Sequence, residues 1–281
     1  MSLRLLTRYG LPRDITSAAP SFSPSDIAGL RLWLDASDST TIEATGGAVS
    51  KWTSKDANSR EFVQTSGSLQ PTTGSQTINS KNVISFSNDI LRVTSSKSVW
   101  RFLHDGTKYN IFIVASIGDG TGNVAWWIMG NAQGSVNNVG IGLAWDDRSN
   151  NDRSEGMRIF IASGSSQTGV VSNNPANGIL AADDQTANVY RYQADPSNDT
   201  VLERTTVYRN SEDGVQETII TTYGVPATVD ATYDLELGSA GNQAGNSNIR
   251  IAEVLIYERD MSSSEVDDVT EYLAAKWGIT L

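Results

Sequence analysis

IAEVLIYERDM, residues 251–261, runs through three serines and a glutamate into VDDVTEYLAAKWGIT, residues 266–280, and this passage decides the fold. In the first segment Ile251, Val254, Leu255, Ile256 and Tyr257 are too dense for a strand with one wet face, which predicts a strand in the middle of a sheet. Ser262 and Glu265 then stand at capping-box spacing. The serine hydroxyl accepts an orphan backbone N–H of the first turn, and the glutamate reaches back to the cap. Val266, Val269, Leu273 and Trp277 recur at helical spacing, so one helix face packs, and Gly278 suits the left-handed conformation that ends a helix.

Outward from this ending, the same apolar density at 109–117 predicts a second central strand. Before it, Ser95 and Ser96 can cap a short helix holding Val99, Trp100, Phe102 and Leu103, which stops ahead of Asp105 and Gly106. In LRLWL (30–34) alternation sets Leu30, Trp33 or Leu32 and Leu34 against the core, whichever register holds, with both faces expected to be covered. Trp52 and Phe62 bracket a polar loop, 53–60, and Val83, Ile84, Phe86, Ile90 and Leu91 suit a hairpin turning at 87–89. Further strands are expected at 124–129, 139–145, 157–161, 188–193, 202–209, 215–221 and 233–237. Between them lie polar loops rich in Gly, Asn, Ser and Asp, the turn formers, on which a rigid sandwich commonly carries its binding residues.

With 281 residues the chain reads as one large all-β domain, 24–281, behind an N-terminal arm, 1–23. A formal charge of −11 argues against nucleic acid, whose phosphates require a basic surface. There is no cysteine, so stability must come from packing, and neither a thiolate metal site nor a cysteine nucleophile is available. The opening MSLRLLTRYGLPRD lacks the continuous apolar core and small-residue cleavage site of a secretory signal, and no stretch is long and apolar enough to insert in a membrane.

Strand, cap, short helix and terminal KWG resemble the end of the LamG-like group of concanavalin A-type jelly-roll domains. SDIAGLRLWLDASDSTTI (25–42) is similar to that group's opening strand, VSKWTSKDANSREFVQ (49–64) to its tryptophan strand and polar loop, and QPTT (70–73) with NVISFSNDILRV (82–93) to the next hairpin. WRFLHDGTKYNIFIVASI (100–117) looks like its short helix feeding a long buried strand. The resemblance implies a jelly-roll β-sandwich over roughly residues 24–280. It implies no single activity, since such folds host binding, catalysis and assembly.

A glycosidase would need two carboxyls across the scissile bond, and Asp234 and Glu236 in TYDLELG (232–238) share one strand face. The glucanases of this fold carry a glutamate two residues earlier, where this chain has Thr232, so the pair reads instead as an outward polar face opposite buried Leu235 and Leu237. His104, the single histidine, fits a helix cap or a loop hydrogen bond better than a catalytic triad. LamG-like relatives often bind calcium, for which Asp146, Asp147 and Asp152, with Asn150 and Asn151, supply hard oxygen ligands. The aspartate that the resemblance expects in the last strand is Ala252, leaving Glu253 alone.

Trp126 and Trp127 cannot both face inward on a regular strand, so one should meet a surface, a sugar ring or a subunit, or else lie partly buried under a loop. Trp145 is grouped with them as a glycan or partner contact, whereas Trp33, Trp52, Trp100 and Trp277 occupy core positions of the resemblance. In the arm, Arg4, Arg8, Tyr9 and Arg13 suit a docking peptide for carboxylates of a neighbouring subunit, or a strand that closes the chain's own sandwich.

The function expected is non-enzymatic: a lectin-like protein of a phage-type virion, in head decoration or tail attachment. It would be assembled in the host cytoplasm, anchored by its arm to other virion proteins, homo-oligomeric, and facing a host-surface glycan. A soluble carbohydrate-binding module is the alternative and a glycan-cleaving enzyme the third reading.

Overall fold

The computed structural model describes residues 22–117, 125–132, 137–146, 156–164, 167–171, 185–199, 204–210, 226–242 and 247–281. Its strands are β1 (Leu30–Asp35), β2 (Ile42–Thr45), β3 (Ala48–Thr53), β4 (Glu61–Val63), β5 (Thr72–Ile78), β6 (Lys81–Ser87), β7 (Leu91–Val93) and β8 (Tyr109–Ile117). They continue as β9 (Ala125–Gly130), β10 (Val139–Asp146), β11 (Gly156–Ser163), β12 (Gln167–Val171), β13 (Asn188–Ala194), β14 (Thr205–Arg209), β15 (Glu236–Leu237) and β16 (Asn248–Tyr257), and the helix α1 (Ser263–Trp277) follows.

Antiparallel pairing runs β12-β11-β10-β9-β15-β7-β4-β3-β5-β6-β16-β8-β13-β14, with β1 on β16 and β2 on β3. One apolar cluster joins Ile141, Leu143 and Ile159 near one end of this path to Ile111, Tyr190 and Val207 at the other. The sheet therefore curls back on itself, and the chain is an all-β, jelly-roll-type sandwich with a short C-terminal helix.

All nine residues of β8 are buried, because the strand is covered twice. Ile111, Ile113 and Ala115 enter the inter-sheet core, while Phe112 and Val114 meet Val266, Val269, Leu273 and Trp277 of α1. The helix begins and ends as its sequence dictates. The Ser262 hydroxyl accepts from the Glu265 amide at 3.4 Å, the Glu265 carboxylate accepts from the Ser262 amide at 2.9 Å, and Gly278 closes the helix at φ 68°. In β1, Leu32 and Leu34 take the core and Trp33 the helix side, which settles the register.

β16 carries a bulge. Ile251 pairs with Ala115 and Glu253 with Val114, so Ala252 is the extra residue, and both Ala252 and Glu253 lie on the helix side.

The hairpin expected at 87–89 is not there. β6 pairs with β5 and β16, whereas β7 pairs with β4 and β15, so residues 88–90 cross between regions of the sheet. The Asn88 amide donates to the Ser247 carbonyl at 2.8 Å and the Ile90 amide to the Leu69 carbonyl at 3.0 Å. Apolar residues on both flanks look alike in a hairpin and in such a crossing. The local hairpin is β5–β6 instead, where Ile78 faces Lys81 and Asn79 and Ser80 both take positive φ, as a two-residue turn requires. The strand expected at 215–221 and the arm residues Arg4, Arg8, Tyr9 and Arg13 lie outside the described residues.

Candidate functional site

β7 and β15 place Arg92 directly across from Glu236. The guanidinium donates from Nε at 3.0 Å and from an Nη at 2.8 Å to one carboxylate oxygen of Glu236, a side chain 1% exposed. Glu236 was expected on a solvated face. It is instead a buried carboxylate held by its cross-strand cation, as burial of a charge requires.

Asp234 lies two residues earlier in the chain, half-buried, and no hydrogen-bond partner is found for its carboxylate among the described residues. Leu235 and Leu237 are buried in the core, as the alternation implied. Thr232, at the position of the absent glutamate, is a fastener: its hydroxyl accepts the Val139 amide at 2.7 Å and its amide donates to the Val139 carbonyl at 2.8 Å. Gly238, at φ 74°, then turns the chain back; a Cβ there would lie 2.2 Å from the Asp89 carbonyl oxygen, so only glycine fits.

Arg92, Lys97, Tyr233, Asp234, Glu236 and Asn242 line a cleft of about 250 Å³. The Lys97 ammonium donates to the Thr232 carbonyl at 2.8 Å. The lining thus offers an aromatic ring, an amide and an unengaged carboxylate in front of a fixed ion pair. Such a lining places a few polar groups where they could orient a polar ligand. As a glycosidase it is poorly built, because Glu236 is immobilised by Arg92.

The segment 226–231 is strapped to the C-terminal end of the 3-10 turn Lys97–Leu103 through His104. His104 Nε2 lies 2.9 Å from the Val229 carbonyl oxygen, which fixes the proton on Nε2, and the His104 carbonyl accepts the Ala227 amide at 3.0 Å. Nδ1 is buried with no partner. Burial pushes the imidazole below its ordinary pKa, against the pull of the Val229 carbonyl. His104 is both a cap and a loop anchor.

Of the three tryptophans expected as contacts, Trp145 is fully buried in the core, which corrects it to a packing residue. Trp126 packs on the same core, while Trp127 points the other way onto Ala132 and Ala162; both are partly buried. Asp146 ends β10, and Asp147 and Asp152 lie outside the described residues. Among the described residues no group of three or more His, Asp or Glu side chains is placed to hold a metal. None of the described helices is long and apolar enough to cross a membrane.

Glu253, set down in the sequence as an orphan of a calcium pair, has another occupation. Its carboxylate, wholly buried, accepts from Trp33 Nε1 at 2.8 Å, Tyr272 OH at 3.0 Å, Lys276 Nζ at 2.7 Å and Trp277 Nε1 at 2.7 Å. Lys276 also meets Asp35 at 2.8 Å, and Asp35 meets Lys55 at 2.9 Å. Burial pushes Glu253 up, with Lys276 opposing and Asp35 reinforcing. Burial acts on Asp35 in the same sense, yet hydrogen bonds from Lys276, Ser37 and Lys55 hold it below its ordinary value.

No protein-family model matches the sequence, LamG-like or other, and no curated protein matches it. Solved structures do match. The binding domain of Paraclostridial Mosquitocidal Protein 1 aligns over 92% of this chain and 56% of its own, at TM-score 0.59 and 12% identity. The fold is similar to that of neurotoxin binding domains. The botulinum neurotoxin serotype G binding domain aligns over 89% of this chain and 54% of its own, at TM-score 0.56 and 10% identity. The receptor-binding domain of botulinum neurotoxin D does so over 92% and 57%, at 0.54 and 13%. The likeness is one of fold, and the chain spans a little over half the length of these domains.

Proposed function

We propose that this chain is a non-enzymatic, lectin-like domain that binds glycans in the cleft between β7, β15 and residues 238–242. The observation that carries the proposal is Asp234, a half-buried carboxylate without a partner among the described residues, beside the ion pair of Arg92 and Glu236. The binding-domain character of its structural neighbours supports it. A glycan array probed with the full chain tests it. Binding to a defined set of glycans is expected, and an array blank at high protein concentration contradicts it.

In its finer form the proposal makes the chain a surface protein of a phage-type virion, homo-oligomeric, assembled in the host cytoplasm and carried on other virion proteins by residues 1–23. What supports this is the sequence resemblance and the arginines Arg4, Arg8 and Arg13 beside leucines in the arm. Deleting residues 1–22 should abolish incorporation into particles while the domain stays folded, and normal incorporation overturns the anchor.

A further inference from the structure

We infer that the cleft takes a neutral sugar, held through two adjacent hydroxyls on the Asp234 carboxylate, and discriminates against acidic sugars; this rests on the glycan-binding reading above. The charges lining the cleft are two cations and two carboxylates, so it presents no net positive field to an acidic ligand. The group best shaped to grip a sugar carboxylate, a guanidinium fork, is Arg92, and its fork is turned onto Glu236. The Lys97 ammonium is already engaged by the Thr232 carbonyl. Asp234 remains. An ionised carboxylate only accepts hydrogen bonds, and its two oxygens match two neighbouring O–H donors. An acidic sugar would bring a second negative charge to the same half-buried spot.

The volume of the cleft limits the size of the ligand. Pockets for drug-sized ligands begin at about 300 Å³. A cleft of about 250 Å³ therefore suits a single ring, which Tyr233 and Asn242 would flank.

The test is calorimetric titration of the full chain, wild type and Asp234→Asn, with the methyl glycosides of mannose, galactose, glucose and N-acetylglucosamine and with glucuronic and sialic acids. The expected result is binding of at least one neutral glycoside, no measurable binding of the acids, and a loss of about tenfold or more on Asp234→Asn, the scale of a hydrogen bond to a charged group. Unchanged thermal unfolding would show that the variant is folded. Acidic sugars binding as well as neutral ones, or better to Asp234→Asn, would overturn the inference and leave the glycan reading standing. Neutral binding indifferent to Asp234→Asn would put the sugar elsewhere and also overturn it. No binding of either class would remove the glycan reading itself and the inference with it.

Discussion

Lys276 Nζ lies 2.7 Å from a carboxylate oxygen of Glu253, and this contact ties the C-terminal helix to the bulge of the central strand. Three further donors converge on the same carboxylate, so the helix, β1 and β16 are joined at one buried point. Removing the acceptor should be severe, since it strands two indole N–H groups and leaves Lys276 with Asp35 alone as its carboxylate partner among the described residues. Glu253→Ala is expected to cost about 3–5 kcal/mol, read as a lower urea midpoint at unchanged slope. A cost below about 1 kcal/mol would mean that the network is incidental.

The single histidine makes stability depend on pH with a definite sign. Burial lowers its folded pKa, so the folded state binds fewer protons than the unfolded state. His104 therefore contributes stability that is present above the ordinary histidine value of about 6.5 and is lost as pH falls through and below it. Protonation would place a proton on Nδ1, where no acceptor stands. His104→Gln keeps an N–H donor for Val229 and removes the titration. Its unfolding temperature, relative to wild type, should rise as pH is lowered from about 7 to 5. A constant difference across that range would assign the pH dependence to other groups.

Trp145 and Trp127 should part company on mutation. Trp145→Ala empties a fully buried core position and is expected to cost about 3–5 kcal/mol. Trp127→Ala removes a partly buried ring resting on two alanines and should cost clearly less. Chemical denaturation of the two variants side by side checks the order, and equal costs would contradict the assignment of their faces.

The ending of the chain was legible because its information is local: a cap, a helical period and a glycine occur within seventeen residues, Ser262–Gly278. The bulge at Ala252 was not, because a strict alternation puts Glu253 on the same face as Ile251, and only pairing with β8 reveals the extra residue. The turn at 87–89 was misread for a related reason: the partners of β6 and β7 are remote in sequence. The cleft was half legible. Alternation put Asp234 and Glu236 opposite Leu235 and Leu237, but nothing near TYDLELG announces Arg92, whose cation fixes one carboxylate and leaves the other available.

The most direct test of the account is a crystal structure of the full chain with a neutral glycoside that binds it. The sugar ring is expected in the cleft lined by Arg92, Tyr233 and Asn242, with two adjacent hydroxyls donating to the Asp234 carboxylate and the Arg92–Glu236 pair unmoved. A sugar ordered elsewhere on the protein, with the cleft holding none, would contradict it.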